Sequence, residues 1–117
     1  MLAFEYRFHG HGSLRYVYKN GNAKRSRFFT VKTTPNKRRK TSRFAVVVSK
    51  KVHKSAVGRN RMRRRIYEII RLQLPKMNTT NDVVVILSSS EIIAAESTDL
   101  TEQLTNLFKE LGLYDQR

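Results

Sequence analysis

The sequence predicts one α/β (α+β) sandwich domain, a small mixed sheet packed with three helices. Three observations predict it. Two short β-branched runs, Arg43–Ser49 and Asp82–Leu87, read as strands; a partly alternating run rich in Phe, Val and Thr reads as another; and apolar stripes of helical period lie around and between them. A chain of 117 residues has room for a single domain over residues 1–117.

Taken in order, residues 1–12 carry no periodic apolar pattern and read as a mobile segment, with glycines flanking His9 and His11. Ser13 is placed to cap a short helix through Lys19, where Leu14, Val17 and Tyr18 fall at i, i+3 and i+4, and Gly21 reads as a left-handed stop. Arg27–Thr34 reads as a strand, which would turn Phe28 and Phe29 to opposite faces. Pro35–Ser42, with Lys37-Arg38-Arg39-Lys40, reads as a loop tip. Arg43–Ser49 is expected at the centre of the sheet, and Lys50–Gly58 is a connection with room for a short extra strand.

The next helix begins at Val57 or Arg59 and runs to Leu74. Met62, Ile66, Ile69, Ile70 and Gln73 share one stripe, whereas Arg61, Arg64, Glu68 and Arg71 lie opposite, and Pro75 ends it. Asp82–Leu87 is a further strand, closed by Ser88-Ser89-Ser90. After a helical turn over Glu91–Glu96, a last helix opens at Asp99, which with Glu102 makes a capping-box pair. Its stripe is Leu100, Leu104, Leu107, Phe108 and Leu111, and Gly112 stops it.

Charge narrows the function. Lys and Arg number 24 against nine Asp and Glu, for a net +15. Residues 1–76 hold 22 basic and 2 acidic side chains, a net of +20; residues 77–117 hold 2 and 7, a net of −5. Self-repulsion on this scale destabilises a compact state, so a polyanionic partner is the economical explanation. There is no cysteine, hence neither a disulfide scaffold nor a thiolate metal site. The opening residues lack the apolar stretch of a signal peptide, and no apolar run approaches a membrane span, so a cytoplasmic location without membrane contact is expected.

The candidate binding residues cluster in one segment, Lys50, Lys51, Arg59, Asn60, Arg61, Arg63, Arg64 and Arg65. Guanidinium forks match phosphate oxygens and stack on bases, and a helix with an apolar back holds them as a rigid patch. Aromatics concentrate in the same half, as expected for stacking on single-stranded RNA. Catalysis by the chain itself finds no platform. The basic half offers only Glu5 and Glu68 as carboxylates, and the His-x-His of His9 and His11 has no third ligand. Neither a catalytic residue nor a protein metal site is expected.

Val48-Ser49-Lys50-Lys51-Val52, followed by Arg59-Asn60-Arg61 and Arg63-Arg64, resembles the signature of the bacterial ribonuclease P protein component. The resemblance extends to Leu14-Arg15-Tyr16-Val17-Tyr18-Lys19-Asn20-Gly21 upstream and to Asp82-Val83-Val84-Val85-Ile86 and Leu107-Phe108-Lys109 downstream, covering roughly residues 13–113. It implies a left-handed β-α-β crossover, against the usual hand. It implies that the arginine helix contacts a catalytic RNA subunit, and that a cleft holds the 5′ leader of precursor tRNA. By position, Leu14, Tyr18, Phe29 and Val31 would line or support that cleft. Mg²⁺ would act through the RNA subunit, and no obligate protein partner is implied. Three positions depart from the pattern: Leu14 stands where Phe is common, Lys32 where an aromatic occurs, and Tyr67 where a basic residue is frequent.

Composition alone equally suits a structural RNA-binding protein such as a ribosomal protein; only the ordered motif separates the two. A DNA-binding regulator would need a helix just before the arginine helix, where a Val-rich strand stands instead.

Overall fold

The computed structural model describes residues 6–7, 11–36, 41–77 and 80–114. Helix α1 (His11–Asn20) leads to strands β1 (Asn22–Arg25), β2 (Phe29–Pro35) and β3 (Arg43–Val48). Helix α2 (Ala56–Gln73) then continues into a 3₁₀ turn (Leu74–Lys76). Strand β4 (Asn81–Leu87), a second 3₁₀ turn (Ser90–Ile93) and helix α3 (Ser97–Glu110) complete the chain.

The sheet order is β1-β2-β4-β3, with β3 parallel to β4 and the other pairs antiparallel. The central strands are therefore β2 and β4. Strand β3, expected at the centre from its valines, lies at an edge. Its apolar content reflects cover by α2 on one face rather than strands on both sides. The outer side of β3 is also occupied. Arg7 forms a bridge with Phe44, and the Tyr67 hydroxyl accepts the Val46 N–H at 3.2 Å.

One face of the sheet builds the core. Phe29 and Val31 of β2, Phe44, Val46 and Val48 of β3, and Val83, Val85 and Leu87 of β4 meet Met62, Ile66 and Ile70 of α2 and Leu100, Leu104 and Phe108 of α3. The registers place Thr30, Lys32, Val84, Ile86, Ala45 and Val47 on the other face, towards α1. Val17 of α1 and Val84 of β4 are fully buried yet lie outside the main core, on the side of the sheet that α1 covers.

Several local expectations change. Phe28 precedes β2, so strand alternation does not govern it, and both Phe28 and Phe29 enter the core. Gly21 does not adopt positive φ. It is needed for close approach instead: a Cβ there would lie 2.6 Å from the Val17 carbonyl oxygen and 3.2 Å from that of Thr33. Helix α3 starts two residues before Asp99, with Glu96 at its N-cap, so no capping box forms, and Asp99 sits in the first turn near the positive helix end. Gly112, at φ 75°, is the left-handed stop expected. No strand forms in Lys50–Gly58: turns and a bend occupy its first part, and Ala56–Gly58 already belong to α2. Of the segment read as mobile, Tyr6 packs against the core and His11 and Gly12 belong to α1. Residues 1–5 and 8–10, like the 37–40 part of the basic loop tip, lie outside the described residues.

Candidate nucleic-acid interface

Helix α2 is built to present cations on one side. Ser55 caps it by accepting the Gly58 N–H at 3.2 Å, and the expected stripe is buried in full, joined by Gly58 and Tyr67. The missed Tyr67 lies beside the stripe, where its phenol reaches the β3 edge. Nothing in the helix periodicity marks that partner. Gly58 is buried because the His53 ring lies against it; a Cβ would fall 2.1 Å from the imidazole Cε1. The loop that carries Lys50 and Lys51 is thereby folded onto the start of the helix, and both lysines are exposed.

The six predicted binding residues on α2 divide into two groups. Asn60, Arg61 and Arg64 are exposed, and Arg63 is half-exposed, donating to Asn60 Oδ1 at 2.7 Å. Among the described residues Arg61, Arg63 and Arg64 form no ion pair, so their charge is available to a ligand. With Arg7 and Tyr67, the residues Asn60, Arg63 and Arg64 line a hollow of about 440 Å³, and the Arg7 guanidinium lies 5.5 Å from the Tyr67 ring centroid. Arg59 and Arg65 are placed differently. Arg59 Nη1 donates to the carbonyls of His53 and Lys54 at 3.0 and 2.8 Å. Arg65 donates to the carbonyls of Ile92 and Ala95 at 2.7 and 2.6 Å, clamping α2 to the approach of α3. These two guanidiniums hold the platform rather than extend it.

Two of the four residues expected to line or support the cleft face the opposite layer. Leu14 and Tyr18 of α1 are half-buried at the sheet, but Phe29 and Val31 are 0% exposed and point into the opposite layer. The residues of β2 that face α1 are Thr30 and Lys32, beside Ile86 of β4 and Val47 of β3, all half-exposed. Lys32 Nζ donates to the Tyr18 carbonyl at 3.3 Å and lies 5.1 Å from its ring centroid. A cation thus meets an aromatic between α1 and the sheet. Burial raises the Tyr18 phenol above its ordinary value, keeping the ring neutral. A period-2 pattern alone could not assign the two faces, because both are apolar in β4.

No group of three or more His, Asp or Glu that could hold a metal ion occurs among the described residues, and no described helix is long and apolar enough to cross a membrane. His9 lies outside the described residues.

Two substitutions probe this face. Arg61→Ala and Arg64→Ala should leave thermal unfolding unchanged and weaken RNA binding. Each should flatten the slope of log K against log salt by about one ion for every phosphate no longer neutralised. A filter-binding salt titration measures both quantities; unchanged slopes would leave this face merely solvated.

Comparison with known proteins agrees with this geometry. The family model of ribonuclease P matches residues 2–112. The chain is 35% identical over 108 residues to the ribonuclease P protein component of Chloroflexus aurantiacus, covering 92% of this chain and 78% of that one. It is 41% identical over 71 residues to the component from Synechococcus, a match that spans 61% of this chain and 54% of that protein. Among solved structures, the Staphylococcus aureus RNase P protein superposes with a TM-score of 0.82 at 25% identity, over 94% of this chain and 98% of that one. With its sheet, its arginine helix and nearly its whole length accounted for, the chain belongs to the family of bacterial ribonuclease P protein components.

Proposed function

We propose that this chain acts as the positioning subunit of a ribonucleoprotein in which a catalytic RNA removes the 5′ leader of precursor tRNA. The observation that carries this reading is the exposed α2 face, where Arg61, Arg63 and Arg64 stand without acidic partners among the described residues. That face holds the RNA subunit. The cleft of Leu14, Tyr18, Thr30, Lys32, Val47 and Ile86 receives the leader, whose bases stack on or lie against half-exposed apolar and aromatic surface. Such contacts tolerate any base, which suits a subunit that meets many leaders. Mg²⁺ serves the reaction through the RNA, and the protein lowers the amount required by screening repulsion between two polyanions.

Reconstitution tests the reading. The purified protein with its cognate RNA is expected to cleave precursor tRNA at the mature 5′ end at a lower Mg²⁺ concentration than the RNA alone. Protein freed of RNA is expected to cleave nothing. Cleavage by the protein alone, or an unchanged Mg²⁺ requirement, would overturn it.

A further inference from the structure

Away from the arginine face, the carboxyl end of α2, the 3₁₀ turn after it and one side of α3 flank an open pocket of about 430 Å³. Gln73, Lys76, Thr101, Thr105, Lys109 and Tyr114 line it. Gln73 lies thirteen residues beyond Asn60 on the same helix, about 20 Å along its axis, so the pocket is separate from the RNA-facing patch.

The sequence marks this place. Between positions 72 and 114 the only basic residues are Lys76 and Lys109, and both line this one pocket. Neither forms an ion pair among the described residues, although α3 carries Asp99, Glu102 and Glu110. Both lysine side chains are exposed and line the same pocket, so an anion seated there would meet two ammonium groups at once. The remaining lining supplies neutral donors. Tyr114 donates its hydroxyl to Gln73 Oε1 at 3.1 Å, which leaves the amide Nε2 of Gln73 without a described partner. Thr101 likewise has no described hydrogen bond for its hydroxyl, whereas that of Thr105 donates to the Glu102 carbonyl. The Tyr114 ring, edge-on to Phe108 with centroids 6.2 Å apart, gives the pocket an aromatic wall. Burial pushes its phenol up to about 12, so it stays protonated at neutral pH.

We propose that this pocket binds a phosphate monoester, its phosphoryl group between Lys76 and Lys109 and its organic part against Tyr114. A monoester carries close to two negative charges at neutral pH, matching the two lysines, whereas a diester carries one. The partial negative charge at the α2 carboxyl end, about half an elementary charge, opposes the ligand but is outweighed by two full cations. A pocket of this size accommodates a nucleoside monophosphate. The same group occurs on a free nucleotide and on the 5′ end of an RNA.

Adenosine 5′-monophosphate titrated into the full chain and followed by amide NMR tests the site. Shifts are expected at Thr101, Thr105, Lys109 and Tyr114, with none there from adenosine. The double variant Lys76→Gln/Lys109→Gln should bind at least ~10-fold more weakly at these residues while assembling normally with the catalytic RNA. Shifts confined to the Arg59–Arg64 face, or undiminished binding by the double variant, would overturn the site. Loss of RNA assembly in that variant would overturn it too, since the lysines would then serve the RNA. Oligoribonucleotides with a 5′-phosphate or a 5′-hydroxyl distinguish the sources. Shifts from the phosphorylated strand alone assign the pocket to an RNA end, and shifts from the free nucleotide but from neither strand assign it to a small molecule.

Discussion

Phe29→Ala should destabilise the folded chain by about 3–5 kcal/mol, because a fully buried ring in the core is removed and the space cannot collapse completely. The side chain lies on the face of β2 that packs with α2 and α3, so the loss is one of folding. Urea denaturation followed by circular dichroism measures it as a lowered midpoint at an unchanged slope. Assayed on folded protein, the preference for precursor over mature tRNA should persist. Lys32→Ala and Ile86→Ala should show the converse, a weaker hold on leader-bearing RNA by on the order of 1 kcal/mol, with stability less affected. If Phe29→Ala folded normally and lost only leader binding, the faces assigned to β2 would be reversed.

Asp82→Ala should cost a similar amount by different physics. Asp82 accepts from Arg43 Nε at 2.9 Å and from Nη2 at 2.7 Å, and from Asn36 Nδ2 at 3.0 Å, across the junction of β3 and β4. The two charged side chains are only 7% and 10% exposed. Removing the carboxylate takes the Asp82 charge and two hydrogen bonds from a buried guanidinium, a loss of about 3–5 kcal/mol. Replacing both partners by apolar groups, as in Arg43→Met/Asp82→Leu, removes the desolvation cost along with the attraction. The double variant should therefore be more stable than Asp82→Ala. Equal or greater loss in the double variant would show that the pair contributes more than its own compensation.

Both results turn on which face a residue occupies, and this is where sequence and structure part. In α2 and α3 the stripes are long, and a residue slightly out of phase still lies within the apolar arc, so both buried faces could be read directly. A strand has period two, and an error of one position moves every side chain to the other layer. The resemblance would put Phe29 and Val31 in the cleft, whereas both face the core and it is Thr30 and Lys32 that face α1. Strand β1 was not anticipated at all, because its four residues are exposed and carry no apolar pattern. It exists through pairing with β2, a non-local cause. Arg65 illustrates the same limit: it follows Arg63 and Arg64 of the RNA-binding motif in sequence, yet its partners are carbonyls 27 and 30 positions away.

The two margins of the sheet bear on how the protein behaves before it meets RNA. An open strand edge is a template for another copy, and excess protein would be at risk of adding strand to strand. Here one margin is the short β1, exposed throughout and carrying Lys24 and Arg25. The other has its outward Val46 N–H taken by Tyr67 and its Phe44 position bridged by Arg7. A second molecule approaching either edge would also meet a like charge of +15. Neither margin therefore offers a long, open apolar edge to a second copy, and the devices that guard them lie outside both the core and the layer beneath α1.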